Sequence, residues 1–289
     1  MRQERDSLGR KQVPDGAYYG VQTVRALENF PVSGRRERPE LVRAYAMIKW
    51  AAARTNVSLK VLDAEKGRAI QKAALRVIKG EFSEQFPVDV FQAGAGTSFN
   101  MNLNEVIANI ALESLGKRKG DYDYLSPNDQ VNRAQSTNDT FSSASQIAAA
   151  WMLETLLERL KDLEGELECK SDDFGKVLKS GRTHLMDALP ITLGQEFHAY
   201  ADAVGASRRR LEQRFEDLMP LPLGGTAVGT GVNAHPDFAA MTIKSLAKAA
   251  RLPLKEMTDK PLGLQSRSPL LGVSGALREL VIELGRIAN

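Results

Sequence analysis

A chain of 289 residues is long enough for one large or two ordinary domains around a real core. Its 43% hydrophobic and 26% charged content is that of a soluble globular protein, and a formal net charge of +3 sets up no field that would draw nucleic acid or an anionic membrane. The single cysteine, Cys169, excludes an intrachain disulfide, no apolar run reaches about 18 residues, and the charged start Met1-Arg-Gln-Glu-Arg-Asp6 is no signal peptide, so the expected address is the cytoplasm. Up to about Val32 the chain carries Gly9, Pro14, Gly16, Gly20 and Pro31 and reads as irregular, with a short hairpin. The basic run Arg35-Arg-Glu-Arg38 is interrupted by an acid and reads as a solvated loop. Helical periodicity is predicted over about 38–56 and 64–79. Val88, Val90 and Phe91 suggest a short strand ahead of a glycine loop. A helix is predicted from about Asn100 to Leu115, ending at Gly116.

After Asp139 the pattern changes. Leu153, Leu156, Leu157, Leu160, Leu163 and Leu167 recur at three-and-four spacing. Leu193, Phe197, Tyr200, Val204, Leu211, Phe215 and Leu218 do the same, with a polar gap near Arg208. Leu270, Val273, Leu277, Leu280, Leu284 and Ile287 fall on a heptad seam that is still running at Asn289. Helices of nearly 30 residues are roughly 40–45 Å long, a length that suits a bundle. The expected fold is mainly α: a mixed N-terminal domain over 1–138, then part of a long central helical bundle over 139–289.

Four loops hold the polar residues of interest. In Gly94-Ala-Gly-Thr97-Ser-Phe-Asn100 the dinucleotide pattern fails, because the sixth position is Phe99, and no Walker lysine follows. Gly229-Thr-Gly231-Val-Asn-Ala234 fits that pattern but lacks a βαβ context and the later acidic residue. The loops share uncharged donors instead. Thr97, Ser98 and Asn100 lie where a glycine loop turns into a helix, and Ser136, Thr137 and Asn138 precede the Leu-rich helix with Asp139 as a cap. Helix starts of this kind bind anions, although plain N-capping explains any one of them alone. The fourth loop, Ser180-Gly-Arg-Thr183-His184-Leu-Met-Asp187, sets His184 among Arg182, Thr183 and Asp187. The bland alternative for His184 is a hydrogen-bonded loop histidine. His198 is expected on the solvent side of its helix and His235 at a helix cap; none of the three is spaced for a zinc site, so no metal is expected.

The sequences Gly94–Glu105, Val131–Asp139, Ser180–Phe197 and Leu223–Asn233 resemble, in order, signature segments of the aspartase/fumarase superfamily of lyases. The resemblance implies homotetramers whose central helices join in one bundle, with each active site collecting loops from three subunits and using no cofactor. It implies reversible anti elimination from a small dicarboxylate, releasing fumarate. By position, Thr97, Ser136, Thr137, Asn138 and Thr183 correspond to substrate-binding donors and His184 to a catalytic residue placed in a proton relay. Ser136 and Thr137 would grip the carboxylate that becomes the enediolate, with Asn138 and His184 near the leaving group. Tyr18-Tyr-Gly-Val-Gln-Thr23, Gly94-Ala-Gly-Thr-Ser98 and Gln135-Ser-Thr-Asn138 resemble the aspartase wording, which favours ammonia release from L-aspartate. Gly224-Gly-Thr-Ala-Val-Gly-Thr230 resembles the fumarase wording and keeps fumarate hydration as the alternative. The family's third signature, Gly-Ser-Ser-x-Met-Pro-x-Lys-x-Asn-Pro, which supplies the serine base, does not occur here. A different class of reading therefore stands beside the enzyme: a non-catalytic helical assembly protein, or a lyase fragment inactive by itself.

Overall fold

The computed structural model describes residues 1–92, 94 and 96–289; Ala93 and Ala95, part of the first glycine loop, lie outside the described residues. The fold is mainly α, and the chain forms two compact units. The first unit comprises Met1–Ala148 and Met219–Arg267, and the second Ala149–Leu218 and Ser268–Asn289. The sequence reading divides the chain once, at residue 138. The contacts divide it differently, because the segment after Leu218 returns to pack with the N-terminal residues.

The first unit opens with the antiparallel hairpin β1 (Arg2–Asp6) and β2 (Gly9–Val13), as expected. Helix α1 (Val21–Asn29) follows where irregular chain is expected. It has no side-chain cap of its own at Gly20. Its cap comes from Glu105, whose buried carboxylate accepts the N–H groups of Gly20 (2.8 Å), Gln22 (2.8 Å) and Thr23 (3.1 Å) and the Thr23 hydroxyl (2.6 Å). Helix α2 (Pro39–Ser58) starts with its proline in the first turn, where no N–H is lost. Helix α3 (Ala64–Ile78) is capped by Asp63, which accepts from Glu65 and Lys66.

Helix α4 (Thr97–Ser114) is buried on every side from Phe99 to Leu112, and so shows no amphipathic stripe. Gly96 at its start has φ +87°, and a Cβ there would overlap the Phe141 ring, so both backbone and packing require glycine. The strand expected at Val88–Phe91 is reduced to a single bridge, Arg36 to Asp89. The Asp89 side chain replaces a ladder there, accepting from Ser33, Gly34 and Phe91.

Helix α5 (Thr137–Asp173) gives its first turns to this unit. The returning segment contributes a two-residue parallel pair, β5 (Pro220–Leu221) with β6 (Lys255–Glu256), and helices α7 (Phe238–Ala250) and α8 (Lys260–Gln265). The pairs α2 with α3, α2 with α7, and α3 with α4 pack together, with Tyr45, Ile48, Phe99, Ile107 and Phe238 fully buried. His235 sits one turn before α7 and accepts the Asp237 N–H at 3.2 Å, so it caps the approach to the helix and not the helix itself.

The second unit holds the rest of α5, a hairpin of β3 (Leu178–Thr183) and β4 (Met186–Thr192), α6 (Leu193–Asp217) and α9 (Ser268–Ala288). A reciprocal capping box starts α6: Thr192 Oγ1 accepts from Gln195 N, and Gln195 Oε1 accepts from Thr192 N. Leu211 on α6 and Val273, Ala276 and Leu280 on α9 are buried where these two helices pack. Glu164 on α5 holds Arg208 at 2.6 Å, which explains the polar gap in the α6 pattern. His198 is exposed, as expected, beside Asp202. Among the described residues, no helix is long and apolar enough to cross a membrane, and no group of three or more His, Cys, Asp and Glu could hold a metal ion.

Candidate active site

The start of α5 is built from a local cap and one distant tether. Ser136 accepts the Asn138 N–H on its hydroxyl (3.3 Å), and Asp139 accepts the Ser136 N–H (3.0 Å). The second Asp139 oxygen accepts Gly224 N (3.0 Å) and Thr226 N (2.9 Å), which fastens the fourth signature loop to the second. Asn138 adds another tie, donating from its side chain to Ala227 O at 2.8 Å. Asp139 is therefore more than a helix cap. It is fully buried, and burial pushes its carboxyl up to about 6 against the pull of three N–H donors and of Lys49.

Between these loops lies a cavity of about 420 Å³, whose lining includes Asn100, Asn132, Ser136, Thr137, Thr226 and Asn233. Among the described residues, no carboxylate lines it. Behind its wall runs a buried polar chain. Lys49 Nζ donates to Asn100 Oδ1 and Asn132 Oδ1, both at 2.8 Å. The Tyr45 hydroxyl donates to Asn100 Oδ1 (2.8 Å) and meets Thr140 Oγ1 (2.7 Å). Asn132 Nδ2 in turn holds Gln135 O at 3.2 Å, one residue before Ser136. Lys49 is fully buried, and burial pulls its ammonium down to about 7, opposed by the negative charge of Asp139. The amide oxygens of both asparagines thus face inward to Lys49.

Thr97 does not line this cavity. With Ser98, Gln22, Arg25 and Asn29 it borders another, of about 550 Å³, and Met101 borders both. Arg25 is committed there to Asp6, at 2.9 and 3.0 Å. The first unit thus joins Ser136 and Thr137 in one cavity, places Asn138 in its framework, and sets Thr97 in the neighbouring one.

Thr183 and His184 belong to the second unit. The sequence reading puts them in a loop. They stand at the tip of the β3–β4 hairpin, where Thr183 pairs with Met186 and Arg182 with Asp187, so the loop is only the two residues His184 and Leu185. Both have positive φ, 49° and 61°, a turn geometry that normally takes Asn-Gly. The tip is exposed, and Arg182 reaches Asp187 at 3.3 Å. Left-handed non-glycine residues recur in the cavity wall, at Ala134, Thr226 and Asn233. Backbone strain of this kind, about 1–3 kcal/mol per residue, gathers at functional sites.

Sequence reasoning did not single out Lys49 and Asn132, and gave Asp139 only a capping role. One signal was present for Lys49: it is the only charged residue in the apolar run Ala44–Ala53.

The sequence profile of the family described as Lyase matches residues 9–289. The chain is 46% identical over 289 residues to an aspartate ammonia-lyase of a Bacillus species, covering all of this chain and 62% of that protein. It is 44% identical over 289 residues to a class II fumarate hydratase of Thermus thermophilus, covering 99% of this chain and 62% of that protein. A crystal structure of fumarate lyase:delta crystallin from Brucella melitensis superposes with a TM-score of 0.94 at 44% identity, covering all of this chain and 63% of the other. The chain thus spans about three fifths of the length of the relatives it matches.

Proposed function

The chain belongs to the lyase family, and on that premise we propose that the polypeptide it represents is an aspartate ammonia-lyase, eliminating ammonia from L-aspartate to give fumarate. The observation that carries this reading is the cavity at the start of α5: hydroxyl and amide donors, no carboxylate, and a buried ammonium behind the amides. That chemistry suits a dicarboxylate. Elimination removes a proton from the carbon beside one carboxylate, and the resulting aci-carboxylate carries an additional negative charge. Donors already aimed at that group stabilise it without having to reorganise. Ser136 and Thr137 are assigned to this carboxylate. Asn138 and His184, the latter held on a strained turn, are assigned to the leaving-group side, and Thr97 and Thr183 to substrate binding. The carbon-bound proton goes to a base. The family resemblance places that base on the Gly-Ser-Ser signature, which these 289 residues do not contain. A homotetramer with composite sites, in the cytoplasm and without an organic cofactor, belongs to the same reading.

The Gly224–Thr230 wording and the Thermus fumarate hydratase favour the second reading, hydration of fumarate. The polypeptide completed to the length of its relatives separates the two. With L-aspartate or L-malate supplied, fumarate is followed by its ultraviolet absorbance. Fumarate from aspartate is expected. Turnover of malate alone would replace aspartase with fumarase, and turnover of neither would leave the non-catalytic class.

A further inference from the structure

Helices α2 and α7 of the first unit flank a second kind of cavity, of about 460 Å³, lined by Trp50, Arg54, Lys244, Ser245, Lys248 and Ala249. None of these residues lines the Ser136 cavity. Its charge is of one sign. Lys244 and Lys248 are one turn apart on α7, an arrangement that costs an isolated helix a few tenths of a kcal/mol by repulsion. Arg54 approaches from α2 with its guanidinium over one face of the Trp50 ring, 5.6 Å from its centre, so a planar ligand must take the place of the guanidinium there or use the other face. Among the described residues, none of these three cations has an ion-pair partner, and no carboxylate lines the cavity. The chain as a whole carries 36 acidic residues against 39 basic ones. Composition therefore does not explain three cations with no acid between them.

The remaining walls add a flat apolar surface and more donors. Trp50 is half-buried, so its ring borders the cavity while the helix holds it in place. Its indole N–H has no hydrogen-bond partner among the described residues, and the Ser245 hydroxyl stands beside the lysines. The cavity thus offers several donors, no acidic acceptor and one aromatic face. Clefts of one charge sign concentrate counter-ions, and indole faces stack planar heterocycles at about 1–3 kcal/mol per base. The volume lies within the range of about 300–1,000 Å³ that small-molecule sites occupy. We propose that this cavity binds a nucleoside polyphosphate, its phosphates held by Lys244, Lys248 and Arg54 and its base stacked against Trp50. The site is independent of the lyase reaction and of the choice between aspartate and malate.

The test is calorimetric titration of the purified polypeptide, completed to the length of its relatives, with ATP and, separately, with inorganic triphosphate. One saturable ATP site is expected, weakening as salt is raised. The Lys244→Gln/Lys248→Gln double variant should lose at least tenfold in ATP affinity while keeping its circular dichroism spectrum and its lyase activity. Trp50→Leu should weaken ATP but leave triphosphate unchanged. Absence of saturable ATP binding overturns the proposal, as does ATP binding that survives both sets of substitutions. Triphosphate binding as tightly as ATP overturns the assignment of a nucleoside. If the lysine variant does not fold, Arg54→Ser, on the exposed side of α2, decides the same point by the same tenfold criterion.

Discussion

Lys49 and Asp139 bring opposite charges to a place where water screens neither. Each is satisfied by neutral partners: the lysine by two asparagine oxygens, the aspartate by three backbone N–H groups. Together they fix two loops to one helix start. Ser136 and Thr137 stand out in the sequence only through the family resemblance, since plain N-capping is an equally good use for hydroxyl residues ahead of a helix, and Ser136 does accept the Asn138 N–H. The framework was not legible, since Lys49 meets Asn132 across 83 positions and Asp139 meets Gly224 across 85. The site residues separate by what else they hold. In the completed enzyme, Thr183→Ala and His184→Ala are expected to lower kcat/KM by roughly 10²–10³, the usual size of the loss when one preorganised polar contact at the reacting groups is removed, without changing Tm, because both side chains are exposed. Asn138→Ala removes the bond to Ala227 as well, so activity and Tm should fall together. Unchanged kinetics in all three variants would leave these loops a structural role only.

Glu105 allows a test of the fold at the same scale. Burial raises its carboxyl from 4.5 to about 7, against four donors that favour the ionised form. The folded chain therefore keeps a proton that the unfolded chain has already released. The contribution of this group to stability is complete below about pH 4.5 and is lost as pH rises through 7. Urea unfolding at pH 5 and pH 8 should show that loss, on the order of a few kcal/mol at 1.36 kcal/mol per pK unit. Glu105→Gln should flatten the slope even though it lowers stability at both pH values. An unaltered slope in the variant would assign the pH dependence to other groups.

Elements were legible in proportion to their periodicity. The helices expected over 38–56, 64–79 and 100–115 appear as Pro39–Ser58, Ala64–Ile78 and Thr97–Ser114. Helix α1 escaped notice because its cap is Glu105, some 80 residues away, and nothing near Gly20 announces a helix start. The β3–β4 hairpin escaped for a different reason: His184-Leu185 is not a turn sequence, and Pro190 lies within β4. A turn that imposes left-handed backbone on leucine is under strain. Leu185→Gly should relieve about 1–2 kcal/mol of it. Hydrogen exchange at the amides of β3 and β4 should slow accordingly. If the strained tip sets the direction of His184, the same substitution in the completed enzyme should also reduce kcat. Faster exchange in Leu185→Gly would mean that the leucine side chain, and not the turn, holds the hairpin.

At the scale of the molecule, the heptad seam of α9 finds its partner within the chain. Val273 and Leu280 are buried, and Leu270, Leu277, Leu284 and Ile287 half-buried, with α9 packed on α6. What remains uncovered in the second unit is a different set. Leu271, Val281 and Ile282 on α9 are 72%, 65% and 64% exposed, and Leu178, Leu185, Met186 and Leu189 line the hairpin at 69–95%. Apolar exposure on both a helix and a hairpin exceeds what scattered surface leucines account for, and it favours association. The 289-residue chain by itself is therefore expected to sediment as an oligomer or aggregate. Leu271→Glu with Val281→Glu should shift it toward smaller species without unfolding it, since both positions are solvent-facing. In the fumarate assay the same chain is expected to be silent, because its cavity offers donors but its sequence lacks the serine signature assigned as base. A well-behaved monomer would contradict the association argument. Measurable turnover would show that a residue within 1–289 accepts the proton.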